Sequence, residues 1–159
     1  MPQLYGEHSW QIPNQMGPAT AMTRDALKWA NAFPISDQAK YSLRLALEEM
    51  LSNTVKYGYA DQAIHPISIS ITVDSELIRI ELIDDARPFN PTLQPKPDIA
   101  HNVAVGIAGG FGIELVRRIC RHMGYRREQN RNHVTLHIES ADLDSEVDSE
   151  LAASKEMSP

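Results

Sequence analysis

Cysteine is nearly missing from this chain of 159 residues. The single Cys120 excludes an intramolecular disulfide framework. Ile113, Val116 and Ile119 around it suit a helix core better than a reactive thiol. Long apolar runs are missing too: no stretch reaches the about twenty residues that a membrane-spanning helix needs. Residues 1–30 lack the basic and apolar segments of a secretory signal. A cytoplasmic protein is the expectation. The six histidines are scattered without the spacing of a structural zinc site. There is also no basic excess: residues 1–138 carry 14 acidic and 14 basic side chains. That balance argues against broad nucleic-acid binding.

What is present suits one domain. With 42% hydrophobic and 23% charged residues, a chain of this size can bury about two-thirds of its unfolded surface. The whole net charge of −6 lies at the end, where residues 139–159 hold seven acidic side chains and one lysine. Few large apolar residues interrupt the acids, serines and alanines there, so ordering entropy outweighs burial. The expected division is a folded domain over 1–140 and an acidic, mobile tail over 141–159.

"HSWQIP" alternates like a half-buried strand, and residues 13–33 carry helix spacing closed by Pro34. In "SDQAKYSLRLALEEMLSNTVKYGY", Ser36 or Asp37 caps a helix, and Gly58 ends it. Its apolar stripe is Leu43, Ala46, Leu47, Met50, Thr54 and Tyr57. "HPISISITV" and "LIRIELI" form a hairpin across "DSE". "GFGIELVRRICRHM" reads as a helix, and "GYRREQ" with "NHVTLHIES" as a closing hairpin turned at "NRN". Strands with helices on one face predict an α/β two-layer sandwich with a mixed, largely antiparallel sheet.

Three places carry chemistry. In "IDDARPFNP" an apolar strand ends in Asp84 and Asp85, and burying a carboxylate is expensive unless something pairs with it. On the long helix, Glu49, Asn53 and Lys56 fall at i, i+4 and i+7 on a stripe bordering the apolar face; alone, that pattern fits a polar helix edge equally well. "GIAGGFGIELVRR" puts four glycines ahead of a helix, where backbone amides and the helix dipole suit an anion. Such clusters are also ordinary loops. The stretch lacks the lysine and hydroxyl of a P-loop.

In this order, "EEMLSN", "DDARPF" and "GGFGI" resemble the N box and two glycine boxes of the Bergerat-type, histidine kinase-like ATPases. "LALEEMLSNTVKYGY", "DDARPFNP" and "GGFGIELVRRI" are most similar to the small anti-sigma factor serine/threonine kinases, over about residues 8–138. The resemblance implies the Bergerat fold, ATP with Mg²⁺ as cofactors, and Asp84 as acceptor for the adenine amino group. It implies Asn53 as the Mg²⁺ ligand, Glu49 as the catalytic base and Lys56 as a nucleotide contact. Gly109, Gly110, Phe111, Gly112 and Ile113 would wrap the phosphates, and Thr135 would lie near adenine. Pro88 and Phe89 would shape the pocket floor, before a lid over 92–108. The family's glycine two residues after the adenine aspartate is Ala86 in this sequence.

The implied reaction is transfer of the γ-phosphate to a serine of a STAS-domain antagonist, with Glu49 taking the hydroxyl proton and a sigma factor as a separately sequestered partner. A homodimer is compatible with the resemblance. A non-catalytic, nucleotide-gated binding module is the alternative, and a simple ATPase a third reading. Arg117, Arg118, Arg121, Arg126, Arg127 and Arg131 fall within fifteen residues. They read either as a solvated face or as a docking patch for an acidic partner or for the acidic tail.

Overall fold

The computed structural model describes residues 1–95, 98 and 111–141. Its elements run β1 (Leu4–Pro13), α1 (Met16–Ala30), α2 (Asp37–Tyr57), β2 (Pro66–Asp74) and β3 (Leu77–Asp84). A short 3-10 turn (Pro91–Leu93), α3 (Gly112–Ile119), β4 (His122–Glu128) and β5 (Arg131–Glu139) follow. The strands form one sheet in the order β1-β2-β3-β5-β4. Every pairing is antiparallel, so the largely antiparallel sheet expected from the hairpins has no parallel pair among the described residues.

Alternation sets the layers. Ile67, Ile69, Ile71 and Val73 on β2, Ile78, Ile80 and Leu82 on β3, and Val134, Leu136 and Ile138 on β5 are buried. They share their core with Ala19, Met22 and Ala26 of α1 and with Leu43, Ala46, Leu47, Met50 and Leu51 of α2. The intervening Ser68, Ser70 and Thr72 turn to the other face, as a period of two requires. The result is the two-layer α/β sandwich.

Local signals explain most element ends. Ser36 caps α2 by accepting from Ala39 N–H at 3.0 Å. At the "DSE" turn, Asp74 Oδ1 accepts from Glu76 N–H and Leu77 N–H, both at 2.8 Å. Other expectations need correction. Tyr57 is 61% exposed, and Leu51 takes its place in the buried stripe of α2. α3 stops at Ile119, because Cys120 is extended (φ −92°, ψ 136°) and leads straight into β4. The β4–β5 turn is Gln129–Asn130, whose φ of 52° and 58° is the primed geometry that matches strand twist. It lies before the "NRN" centre, and this makes Asn132 a strand residue directly opposite Asp84.

Candidate functional site

The inward parity of β3 carries past its last hydrophobic residue and buries Asp84, which is 6% exposed. Asp84 Oδ1 accepts from Asn132 Nδ2 at 2.9 Å and from Ala86 N–H at 3.1 Å. Both bonds fall on Oδ1; Oδ2 accepts none among the described residues. Burial pushes the Asp84 carboxyl above the ordinary range. The Asn132 and Ala86 bonds and the Arg127 charge oppose that push, while Asp85 adds to it. The protein therefore pairs half of this carboxylate itself and leaves the other half facing a cavity.

That cavity has a volume of about 490 Å³. Met50, Asn53, Thr54, Tyr57 and Gly58 line it from α2. Asp84, Ala86, Arg87 and Phe89 line it from the β3 corner, and Gln94, Pro95 and Asp98 from the segment beyond. Ile113, Glu114 and Arg117 of α3 and Asn132 and Val134 of β5 close it. Apolar walls with a few convergent polar groups are what a flat heterocycle needs. Ala86 fits without strain: φ is positive at no non-glycine residue but Gln129 and Asn130 among those described. Gly58 leaves room for its methyl, since a Cβ at Gly58 would come within 2.8 Å of the Ala86 Cβ.

The two α2 residues one turn apart reach different places. Asn53 lines the cavity. Glu49 borders a second groove, between α1 and α2, of about 470 Å³. Its carboxylate occupies the space that a Cβ on Gly112 would take at the first turn of α3. Lys56 is exposed and outside the cavity lining. Phe111 is the N-cap of α3 and also outside the lining, whereas Ile113 is within it. Gly109, Gly110 and most of the expected lid lie outside the described residues, as do residues 142–159 of the tail.

Thr135 needs correction. It lies on the opposite face of the sheet from Asn132 and Val134, because strand parity separates odd from even positions. The residue on the cavity side of β5 that sequence reasoning missed is Asn132. Two arginines also leave the supposed patch for the site: Arg127 Nη1 donates to the Ala86 carbonyl at 2.8 Å, and Arg117 Nη2 to the Gln94 carbonyl at 2.7 Å. Arg117 pairs with Glu114 at 3.0 Å as well. On the rim, His65 lies between Asp85 (Nδ1 to Oδ2, 3.0 Å) and Asp61 (Nε2 to Oδ1, 2.8 Å). Hydrogen bonds to Asp85 first and Asp61 second push the imidazole up. Tyr59 stacks on its ring at 4.5 Å. Burial holds the Cys120 thiol at about 12, which fits a packing role.

The site suits a nucleotide with a hydrated divalent cation. Asp84 Oδ2, on a residue that lines the cavity, accepts no hydrogen bond from the described residues, and the Glu49–Gly112 approach leaves no space for a side chain where α3 begins. No group of three His, Cys, Asp or Glu side chains suited to a metal occurs among the described residues. Mg²⁺ needs no such cage, since it keeps water and phosphate ligands beside one or two protein oxygens. Asn53, which lines the cavity, would be the residue to offer such an oxygen. No described helix is long and apolar enough to cross a membrane.

Comparison with known proteins agrees. Residues 12–138 match the histidine kinase-like ATPase domain. The serine/threonine-protein kinase BtrW of Bordetella bronchiseptica (strain ATCC BAA-588 / NCTC 13252 / RB50) is 28% identical over 129 residues, which is 77% of this chain and 89% of that protein. The crystal structure of the RsbU and RsbW domains of Rv1364c from Mycobacterium tuberculosis superposes with a TM-score of 0.57 at 12% identity. The match covers 84% of this chain and 32% of that longer one, and it bears on the fold. The chain belongs to the histidine kinase-like ATPase domain family, and within it resembles the anti-sigma kinase type.

Proposed function

We propose that this protein is an ATP-dependent serine/threonine protein kinase of the anti-sigma type, acting on a serine of a STAS-domain antagonist and sequestering a sigma factor. The observation that carries the reading is Asp84 Oδ2, an unused acceptor at the wall of a cavity that Asn53 also lines. The name of the Bordetella relative, a serine/threonine-protein kinase, supports the reaction class.

In this reading Asp84 and Ala86 hold the base, and Met50, Ile113 and Val134 supply its apolar walls. Asn53 presents an amide oxygen to Mg²⁺. Gly112 lets the Glu49 carboxylate approach the start of α3, where the phosphates meet backbone amides. Bound Mg²⁺ offsets the negative charge of the phosphate oxygens. Glu49 accepts the proton of the incoming serine hydroxyl as its oxygen attacks the γ-phosphate, and ADP leaves.

The deciding experiment incubates the chain with Mg²⁺, radiolabelled ATP and a purified STAS-domain candidate. Label on a serine of the candidate, absent with Glu49→Gln although that variant still binds ADP, is the expected result. ATP and partner binding without transfer in the wild type would favour a nucleotide-gated binding module instead.

A further inference from the structure

Asn132 is buried and uses both ends of its amide. One end receives Tyr125 Oη at 2.7 Å, Arg127 Nη1 at 3.0 Å and the Phe89 N–H at 3.3 Å. A guanidinium and a backbone N–H can only donate, so this end is the oxygen, and the Tyr125 hydroxyl donates to it as well. The NH₂ end therefore faces acceptors: Asp84 Oδ1 at 2.9 Å, the Arg87 carbonyl at 2.9 Å and the Ala86 carbonyl at 3.4 Å. Cross-strand pairing of Asp84 with Asn132 holds the two side chains in register.

We propose that Asn132 is a positioning residue for base selection: it commits Asp84 Oδ1, leaves Oδ2 as a bare acceptor, and ties that carboxylate to the Ala86–Phe89 loop. The cavity then favours a purine with an exocyclic amino group at Oδ2 over one with an oxo group there, since two acceptors face to face leave a polar group unpaired. This rests on the adenine-binding role of Asp84 under the proposed function.

The ionised state of Asp84 is the lever. Asp85, Arg127 and Tyr59 bear on it, and His65 sits beyond Asp85. Burial opposes ionisation, and the Asn132 bond is the foremost effect favouring it. Without that donor the carboxyl holds its proton to higher pH. Once protonated, it can donate and so serve an oxo purine.

The test measures ADP and inosine diphosphate binding with Mg²⁺ to the full chain between pH 5 and 8. It compares the wild type with Asn132→Ala and Asn132→Asp. The aspartate variant retains an oxygen for Arg127, Phe89 and Tyr125 and sets a second carboxyl group against Asp84 Oδ1 in place of the NH₂ donor, which raises the proton affinity of Asp84 further, so it tests the same role without a cavity where the alanine variant misfolds. Expected are a wild-type preference for ADP, an about tenfold fall in the ADP-to-inosine ratio in either variant, and loss of ADP binding on the acid side at higher pH than in the wild type. A uniform loss of affinity for both nucleotides at every pH, or an unchanged ratio, overturns the positioning role. A wild type indifferent to the two bases overturns the adenine reading itself, a pattern visible without any variant.

Discussion

The Glu49 carboxylate lies against the Cα of Gly112, in the space that any larger residue would need for its Cβ. This contact links α2 to the first turn of α3, and it sets the proposed base beside the helix start that the proposed function assigns to the phosphates. Gly112→Ala must displace the carboxylate or the start of α3. Misplacing a reacting group by about 1 Å can cost about a hundredfold in rate. Phosphotransfer in this variant is expected to fall by about that factor, with ADP affinity weakening far less. Single-turnover transfer measured beside ADP titration checks this, and transfer at the wild-type rate would show that the contact is dispensable.

Asp84→Asn keeps the size of the side chain but can present an NH₂ where Oδ2 now offers an acceptor. It also confronts the Asn132 NH₂ and the Ala86 N–H with a group that can satisfy them only through its own oxygen. One arrangement cannot serve both ends, so ADP binding should weaken by about 1–3 kcal/mol. Isothermal titration reads the change directly, and equal affinities would remove Asp84 from base recognition.

Much of this was legible in the sequence, and the failures share a cause. The Ile-Ser-Ile-Ser-Ile alternation of β2 and the Ser36 cap are local signals, and both appear as read. Asp84 stands out in the sequence because a carboxylate at the end of an apolar strand has to be paired. The end of α3 was not legible: Ile119, Cys120 and Met123 extend a helical apolar pattern. Only pairing with β5, His122 opposite His137, turns the segment into a strand. Asn132 stands at the edge of the "NRN" turn that the sequence suggests, so its pairing opposite Asp84 has no local signal. With the turn placed at Gln129–Asn130, parity points Asn132 and Val134 inward and Thr135 outward. The Thr135 assignment rests on the family resemblance alone, whereas the alternation of Val134, Leu136 and Ile138 in the same stretch already turns Thr135 away from the core and Asn132 toward it. Gly112 reads as a phosphate glycine by resemblance, but its clearance for Glu49 joins residues far apart in sequence.

Ala86 replaces the glycine that the family resemblance leads one to expect, and the structure makes that alanine a packed residue. Its methyl is buried beside Gly58, and its backbone holds Asp84 and Arg127. Ala86→Gly adds chain freedom to the unfolded state and should destabilise the protein by about 0.4–1 kcal/mol. The melting temperature should drop by about 1–4 °C, with no gain in ADP affinity. Tighter binding in this variant, measured by titration, would show that the methyl obstructs the base.

His65 supplies a pH dependence whose sign follows from its partners. Hydrogen bonds to Asp85 and Asp61 raise its pKa in the folded protein above that of the unfolded chain. The same contact lowers Asp61, so the aspartate side is ionised well into mild acid. A raised histidine stabilises fully below the unfolded value of about 6.5 and loses that contribution as pH rises through the folded value. Removing the imidazole with His65→Gln should therefore lower the melting temperature most between about pH 5 and 6.5, and progressively less at higher pH. Parallel thermal scans of wild type and variant across that range test it. A gap that stays constant or widens toward alkaline pH would mean that His65 holds the Asp61 and Asp85 corner through its Tyr59 stack and neutral hydrogen bonds rather than through its charge.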